Sequence, residues 1–261
     1  MKQRRTKCAF ILNFLRIYNI VWGIALPFLK KNRRLKPGFS RRTDPSHLKP
    51  ADIWIQAASA GEAYLAARLV RQFRPASPVR ILVTTITVQG MDILKARLEK
   101  QEIDPNIALT LEWFPFDRPG IMRKAVKQIG PKVMVLLETE LWPALLHHLK
   151  QAGTRILVVN ARMSQKSFSG YMKTRFLWKQ LEPDCILATS GRDRDRYKKL
   201  FAGSDVRTMS NMKFDIMESQ ESAAPDSVSL EKVIQPGLPL TILASIRRQE
   251  ETVVLHMVQS L

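Results

Sequence analysis

From Ile53 onward, short apolar runs alternate with longer stretches in which apolar residues recur every three or four positions. The short runs have the length of strands and the longer stretches the length of helices. The predicted strands begin at Ile53 and then cover 80–85, 108–114, 132–137, 154–160, 184–189 and 206–209. The predicted helices cover 63–73, 87–100, 118–129, 142–152, 168–181 and 192–201. Nearly continuous apolar strands, each followed by a helix, indicate an α/β domain with a parallel sheet that is covered on both faces.

The apolar stretch at residues 8–29 differs from the others because basic residues flank it on both sides. It is long enough to cross a bilayer, but Arg16 within it would make a full span costly. A helix that lies in the membrane interface, with its cationic flanks against anionic lipid, fits this pattern better. A true span, a signal sequence and a buried core helix remain alternatives.

The net charge adds a constraint on partners, since 42 lysines and arginines oppose 23 acidic residues and give a formal charge of +19. This balance indicates a polyanionic partner, which could be a nucleic acid, an anionic membrane or a phosphorylated substrate. The cations concentrate beside the apolar N-terminal stretch, and the sequence contains no basic motif with interleaved aromatic residues. We therefore expect no nucleic acid partner, and a basic nucleic-acid-binding protein is the weakest alternative.

The sequence gives little indication of metal chemistry. Cys8 and Cys185 have no metal-ligand spacing and form no disulfide framework, which fits a reducing compartment. The segment Asp193–Asp195 has the Asp-x-Asp spacing of metal-dependent nucleotide-sugar transferases, but alternating charges at the start of a predicted helix are typical of a solvated face. We expect neither a metal nor a cofactor.

The segment Ile53–Glu62 reads Ile-Trp-Ile-Gln-Ala-Ala-Ser-Ala-Gly-Glu and predicts a strand, a tight turn and the start of a helix. Gly61 would let a substrate approach the backbone, and the free N–H groups of the helix start favour an anionic group. Glu62 then either presents a functional carboxylate or merely caps the helix, and its position alone does not decide between the two.

Polar side chains follow most of the other predicted strands as well. Because the carboxyl ends of parallel strands meet at one edge of a sheet, we expect these side chains to line a polar substrate cleft. The set comprises Ser59, Thr85, Thr87, Glu138, Glu140, Asn160, Arg162, Ser164, Ser167, Tyr171, Asn211 and Lys213.

Six short motifs occur along the chain in the order Ser-Ala-Gly-Glu, Thr-Thr-Ile-Thr, Phe-Pro-Phe-Asp, Glu-Thr-Glu-Leu-Trp-Pro, Asn-Ala-Arg-Met-Ser and Asn-Met-Lys-Phe-Asp. In these motifs the sequence resembles the 3-deoxy-D-manno-octulosonic acid (Kdo) transferases, the membrane-associated glycosyltransferases of lipid A and lipopolysaccharide assembly. The resemblance covers roughly residues 12–261 and is densest from Ile53 to Asp215. Glu-Thr-Glu-Leu-Trp-Pro is the specific motif, whereas Ser-Ala-Gly-Glu alone would be weak.

The resemblance implies a GT-B fold, in which two Rossmann-like domains enclose the active cleft. The N-terminal domain would bind the acceptor lipid, and the C-terminal domain would hold the donor, CMP-Kdo. On this basis the chain divides into a membrane-associated helix with basic flanks at 1–42, a Rossmann-like acceptor domain at 43–219, a linker at 220–239 and the start of a donor domain at 240–261. The expected location is the cytoplasmic face of the inner membrane.

The resemblance also implies roles for individual residues. Glu62 matches the family's general base, and Glu138 and Lys213 match positions linked to transition-state stabilisation. Glu140 could exchange roles with Glu138. The reaction implied is transfer of Kdo from CMP-Kdo, a donor substrate, to a lipid A precursor of the lipid IVA type, with inversion at the anomeric carbon. The other contacts expected with substrate come from Ser59, Gly61, Thr85, Thr87, Asn160, Arg162, Ser164, Ser167, Tyr171 and Asn211.

One feature departs from the family, whose chains are much longer. A single strand and helix after the linker cannot bury a core of their own, so we expect most of the donor domain to be missing. These 261 residues alone should then not transfer Kdo at a normal rate. A non-catalytic, membrane-bound protein that binds the acceptor is therefore the main alternative.

Overall fold

The computed structural model describes residues 2–32, 35–99, 102–213 and 250–259. The chain falls into two compact units, Met1–Asp215 and Ile216–Leu261. Seven strands of the first unit form one sheet in which every neighbouring pair is parallel. The strands are β1 (Ile53–Ala57), β2 (Val79–Thr85), β3 (Ile107–Trp113), β4 (Val133–Leu137), β5 (Arg155–Ala161), β6 (Cys185–Ala188) and β7 (Asp205–Thr208). The predicted strands are thus confirmed to within about one residue at each end.

Two described helices of this unit precede β1, and the others lie between strands in the chain, as the alternating pattern predicts. They are α1 (Lys2–Lys31), α2 (Phe39–Thr43), α3 (Ala60–Gln72), α4 (Val88–Leu98), α5 (Pro119–Ile129), α6 (Pro143–Gln151), α7 (Gln165–Lys173), α8 (Arg175–Trp178) and α9 (Gly191–Leu200). A 3-10 turn at Pro45–His47 precedes β1. Strand order β3-β2-β1-β4-β5-β6-β7 makes the fold Rossmann-like, which confirms the predicted α/β class.

The strand order places a topological switch point between β1 and β4. The chain runs outward from β1 to β2 and β3, and then crosses back to β4 before it continues to β5, β6 and β7. Right-handed crossovers therefore put α3 and α4 on one face and the helices after β3 on the other. A crevice opens where the two directions part, at the carboxyl ends of β1 and β4.

Helix α1 packs against the domain along one face and is exposed along the other. Ile11 and Leu15 are buried, and the helix contacts α5. The opposite face exposes apolar side chains, namely Leu12, Ile17, Ile20, Val21, Ile24 and Phe28. Within the described residues, Phe10–Lys31 is long and apolar enough to cross a membrane, with a mean hydropathy of 1.4 and 11% of its window buried. Length and composition of this kind also occur in signal sequences and in core helices.

Two local features differ from the pattern-based prediction. The single helix predicted at 168–181 is two helices, α7 and α8, because the backbone of Thr174 leaves the helical region between them. Helix α2 was not predicted, since a five-residue helix shows no periodicity; it begins after Gly38, whose φ is +68°.

In the second unit, the structure describes one helix, α10 (Glu251–Gln259). It lies within the region 240–261 that we predicted to begin a donor domain. The predicted linker at 220–239 and the predicted strand Leu240–Ser245 lie outside the described residues. The division into a linker and a donor domain therefore stays a prediction.

Candidate active site

The loop after β1 places Glu62 in the crevice at the switch point. Ser59 is the N-cap of α3, and its hydroxyl accepts a hydrogen bond from the Glu62 N–H at 3.3 Å. The carboxylate of Glu62 in turn accepts hydrogen bonds from the Ala58 N–H at 2.7 Å and from the Ser59 hydroxyl at 2.9 Å. This is a variant of the capping box, so the interpretation of Glu62 as a helix cap is confirmed. Capping does not exclude chemistry, because it also fixes the carboxylate at the edge of the crevice.

The environment of Glu62 makes it a stronger proton acceptor than an ordinary exposed carboxylate. The side chain is 5% exposed, and this burial raises the pKa of its carboxyl above the usual range. Hydrogen bonds from Ala58 and Ser59 lower the same pKa, the charge of Glu138 raises it and the charge of Lys213 lowers it. A carboxylate with a raised pKa is a better general base at physiological pH than an ordinary exposed one.

Glu138 and Lys213 form an ion pair beside Glu62, with 2.5 Å between the Lys213 Nζ and a Glu138 carboxylate oxygen. A methyl group built on Gly61 would lie 3.8 Å from the same Nζ, so the lysine also borders the turn of Glu62. Glu138 occupies the first position after β4 and has a φ of +55°, a strained value for a residue other than glycine. The three residues assigned to catalysis by resemblance therefore come together, although 151 positions separate the first from the last.

Glu140 adds another carboxylate to this cluster. Burial and the charges of Glu62 and Glu138 raise its pKa to about 7, while a hydrogen bond of 2.8 Å from the Trp142 indole N–H opposes that shift. The charge of Glu140 in turn contributes to a raised pKa of Tyr171, whose ring packs against Trp178. The crevice thus holds acids in distinct environments: Glu138 paired with a lysine, Glu62 hydrogen-bonded to a helix start, and Glu140 beside an indole.

Asn160 and Asn211 act on the loop that carries Lys213. Asn160 is fully buried at the end of β5 with a φ of +54°, and its side-chain oxygen accepts a hydrogen bond from the Met212 N–H at 3.0 Å. The side-chain oxygen of Asn211 accepts the Lys213 N–H at 3.1 Å. Both asparagines therefore hold the backbone that presents the lysine.

A second concavity, of about 650 Å³, lies at the carboxyl ends of β5 and β6. We call it the arginine cleft; its lining includes Glu138, Thr139, Arg162, Met163, Ser164, Ser167, Ser190, Arg192, Asp193 and Arg196. The exposed guanidinium groups of Arg162 and Arg192 have no hydrogen bond or ion pair to any other described residue. Ser164 caps α7 by accepting the Ser167 N–H at 3.1 Å, and the two hydroxyl oxygens are 2.9 Å apart. Unpaired guanidinium groups and hydroxyls are suited to a phosphate or to sugar hydroxyls.

The structure does not bring every predicted contact to these two concavities. The Thr85 side chain is fully buried at the end of β2, where it lies against Gly90 of α4. Thr87 caps α4 by accepting the Gly90 N–H at 3.0 Å. Both threonines thus have structural roles in this fold, and their contact with substrate stays a prediction.

Sequence reasoning missed Ser190 in the loop after β6 and Arg192 in the first turn of α9, both of which line the arginine cleft. The position immediately after a predicted strand could have identified them. At the start of α9, Asp193 accepts hydrogen bonds from the Met163 N–H at 2.9 Å and from the Ser190 hydroxyl at 2.6 Å, and its side chain is mostly buried. Asp195 is exposed and pairs with Arg194. The interpretation of these charges as a solvated face therefore fits Asp195, whereas Asp193 ties α9 to the loop after β5.

Comparison with known families supplies the identity that the geometry alone leaves open. The family model described as 3-deoxy-D-manno-octulosonic-acid transferase (kdotransferase) matches residues 31–216. The chain belongs to this family. The match includes every residue of the crevice and of the arginine cleft, and it ends next to the boundary of the first compact unit.

Individual relatives agree with the kdotransferase assignment. A bifunctional glycosyltransferase/methyltransferase of Fusobacterium nucleatum is 32% identical over 214 residues, which cover 77% of this chain and 32% of that protein. A 3-deoxy-D-manno-octulosonic acid transferase of Rickettsia conorii is 31% identical over 216 residues, or 80% of this chain and 43% of the relative. The corresponding protein of Rickettsia bellii is 29% identical over 264 residues, with coverage of 97% and 59%. The chain thus spans roughly half or less of the length of most curated relatives it matches.

Proposed function

We propose that this chain provides the acceptor-binding half of a glycosyltransferase that moves Kdo from CMP-Kdo to a lipid A precursor of the lipid IVA type. Family membership supports the class of reaction. The observation that carries the proposal is the position of Glu62, which is buried at the switch point next to the Lys213–Glu138 pair. The remainder of a GT-B enzyme would supply the donor domain that begins at 240–261.

In the proposed reaction, Glu62 takes the proton of the acceptor hydroxyl as its oxygen attacks the anomeric carbon of Kdo. The bond from that carbon to the CMP phosphate oxygen breaks, and its electron pair leaves with CMP. One displacement inverts the anomeric centre and needs neither a covalent intermediate nor a cofactor. A base is required because a neutral hydroxyl is a poor nucleophile.

Lys213 stabilises the negative charge that develops on the leaving phosphate, since a preorganised cation in a partly desolvated crevice acts more strongly than one in water. Glu138 holds the ammonium group in place through their ion pair and supports positive charge on the sugar ring. Glu140, whose pKa is about 7, can exchange protons near neutral pH. It is the alternative to Glu138 as the carboxylate that supports positive charge on the sugar ring.

The acceptor is a lipid, and the exposed apolar face of α1 would place the crevice at the membrane where that lipid resides. The helix lies in the interface of the inner membrane on its cytoplasmic face, with the basic residues at its ends against anionic headgroups. The arginine cleft binds phosphate or sugar hydroxyls of the acceptor through Arg162, Ser164 and Ser167. CMP-Kdo, the lipid A precursor and the anionic membrane surface are thus the proposed partners.

A second candidate function is a membrane-bound protein that binds the acceptor without transferring Kdo. The observations that favour it are the exposed apolar face of α1 and the guanidinium groups of the arginine cleft that have no partner among the described residues, since both are suited to binding a phosphorylated lipid and neither is a reactive group. Binding of lipid IVA vesicles by the wild-type chain, without release of CMP from CMP-Kdo, would select this function.

The decisive variant for catalysis is Glu62→Gln in the full-length protein. Glutamine at this position retains a capping-box acceptor, so the change removes the base and keeps the helix start. We expect kcat to fall by about 10²–10⁴-fold, the usual contribution of a general base, with acceptor binding unchanged. Transfer of radiolabelled Kdo measures the first quantity and vesicle co-sedimentation the second.

A matched control is Glu102→Gln, since Glu102 is exposed on a loop before β3, at the opposite edge of the sheet. This control should leave both quantities unchanged. Near-normal turnover of Glu62→Gln would remove Glu62 from the mechanism.

A further inference from the structure

Helix α6 begins without a capping side chain from its own N-terminal residues. Its N-cap residue is Trp142, whose side chain makes no capping hydrogen bond. Instead the carboxylate of Asp117 accepts the Ala144 N–H at 3.1 Å and the Leu145 N–H at 2.8 Å. These are the second and third residues of the helix, whose N–H groups an N-cap side chain normally satisfies. A residue 27 positions earlier therefore caps α6.

The same carboxylate connects α6 to the apolar N-terminal helix. The hydroxyl of Tyr18 in α1 donates to Asp117 at 3.0 Å, and Asp117 is 1% exposed. Contacts on either side reinforce this junction: the Trp22 and Phe116 rings are 5.6 Å apart, and Arg118 donates to the Asn19 side chain at 3.0 Å.

Only residues 138–142 separate the end of β4 from the start of α6. This carboxylate loop contains Glu138 and Glu140, and it is fixed at one end by the sheet. Its other end moves with the first turn of α6, which Asp117 holds. Trp142, which donates to Glu140, also packs against Phe114, 5.7 Å away in the segment that leads to Asp117.

We infer that Asp117 is a positioning residue that couples the seating of α1 to the geometry of the carboxylate loop. When α1 lies on a membrane and against the domain, Tyr18 fixes the Asp117 carboxylate and the carboxylate fixes the first turn of α6. Glu138 and Glu140 are then held in their observed places. When α1 shifts, the cap loosens and the loop gains freedom. The inference rests on the proposed function only for its activity readout.

The structural test follows hydrogen exchange at the Ala144 and Leu145 amides, with and without vesicles of phosphatidylethanolamine and phosphatidylglycerol. Removing one hydrogen bond to a buried carboxylate raises local opening by about three- to tenfold, so we expect that increase in exchange for Tyr18→Phe. Vesicles should slow exchange at these amides in the wild type and not in Tyr18→Phe. Asn13→Ala is the matched control: Asn13 is exposed on the same helix and, within the described residues, its side chain bonds only Arg16 of α1, so exchange should stay within about twofold of the wild type.

The capping residue itself is tested by a graded pair of variants. Asn is a good N-cap residue whereas Ala is not, so exchange should rise more in Asp117→Ala than in Asp117→Asn, by about tenfold for a lost cap. In the transfer assay, Asp117→Ala should lower kcat while the KM for CMP-Kdo is retained, and Asp117→Asn should recover part of the loss.

Equal exchange in Tyr18→Phe and Asn13→Ala, or an identical response to vesicles in wild type and Tyr18→Phe, would overturn the coupling. If Asp117→Ala does not fold, Tyr18→Phe and Asp117→Asn still decide the question. Absence of Kdo transfer by the wild type would count against the proposed function and leave the exchange results to decide this inference on their own.

Discussion

Two regions at the same edge of the sheet solve different chemical problems. The crevice at β1 and β4 contains Glu62, Glu138 and Glu140 and is largely buried, so its charged groups interact mainly with one another. The arginine cleft at β5 and β6 is open, and its cations Arg162 and Arg192 have no hydrogen bond or ion pair within the described chain. Both regions arise from the same rule, that loops at the carboxyl ends of parallel strands converge.

The difference shows how burial divides proton chemistry from recognition. In the crevice, desolvation shifts the pKa of Glu62 and Glu140 upward, toward the range where proton transfer is useful. In the arginine cleft, exposure leaves the guanidinium groups hydrated and available to a ligand. Changes in the crevice should therefore act on turnover, and changes in the cleft should act on binding.

After Glu62→Gln, the largest expected effect is that of Lys213→Ala in the crevice. Loss of the cation that we propose faces the leaving group should lower kcat by about 10²–10³-fold in the transfer assay. Because the charge of Lys213 lowers the pKa of Glu62, the acid limb of the pH–rate profile should also move to higher pH. Lys49→Ala, an exposed lysine before β1, is the control and should change neither quantity. A change confined to KM would assign Lys213 to binding and would contradict the expected difference between the crevice, which acts on turnover, and the arginine cleft, which acts on binding.

In the arginine cleft, the double variant Arg162→Gln with Arg192→Gln should act on the acceptor. A charge-assisted hydrogen bond contributes about 1.5–3 kcal/mol, so loss of at least one such bond should raise the KM for a phosphorylated acceptor by at least about 10-fold, with kcat retained. A dephosphorylated acceptor should show a smaller change. Arg194→Gln is the control, because Arg194 lies on α9 with Arg192 but already pairs with Asp195. Equal losses with both acceptors would show that the cleft binds something other than phosphate.

Asn160→Ala should show how far the crevice depends on buried support. The change removes the acceptor of the Met212 N–H and places alanine at a φ of +54°, which together cost about 1–3 kcal/mol in the free energy of unfolding. Asn160→Gly tolerates this backbone and loses only the hydrogen bond, so urea unfolding of the pair separates the two causes. A difference between the two variants near zero would mean that the backbone at this position is not strained.

The last prediction concerns the pH-dependent stability of Glu140→Gln. The wild-type pKa of about 7 lies above the ordinary value of 4.5, so the folded state holds this proton more tightly than the unfolded state. The contribution is therefore present at low pH and is lost as pH rises from 4.5 through about 7. Glutamine does not titrate, so the variant should match the wild type near pH 5 and exceed it near pH 8, with a slope of at most about 1.4 kcal/mol per pH unit.

Urea unfolding at the two pH values measures this difference. A comparison between variants is needed because burial lowers the pKa of His147 to about 4, and that histidine changes stability in the opposite direction over the same interval. A Glu140→Gln variant that is less stable than the wild type at pH 8 would contradict the raised pKa.

Local rules predicted much of the fold and part of the site. Apolar periodicity located the strands, because a sheet covered on both faces requires unbroken apolar runs. Trp142-Pro143 was correctly predicted as a helix start, since proline is favoured at the first helical position. Ser59 and Glu62 are three residues apart, so their capping contact was also within reach of sequence reasoning.

The sequence by itself thus determined the elements, the parallel sheet, the edge where function collects and, through its motifs, the family. Only the tertiary structure decided which of the edge residues meet. In the folded chain Lys213 pairs with Glu138, and Arg192 lines the same cleft as Arg162. Thr85 is buried in the core, and Asp117 accepts hydrogen bonds from the first turn of α6. The physical reason is that these arrangements depend on strand order, on backbone angles such as the positive φ of Glu138 and on side-chain direction. None of these is carried by the spacing of residues along the chain.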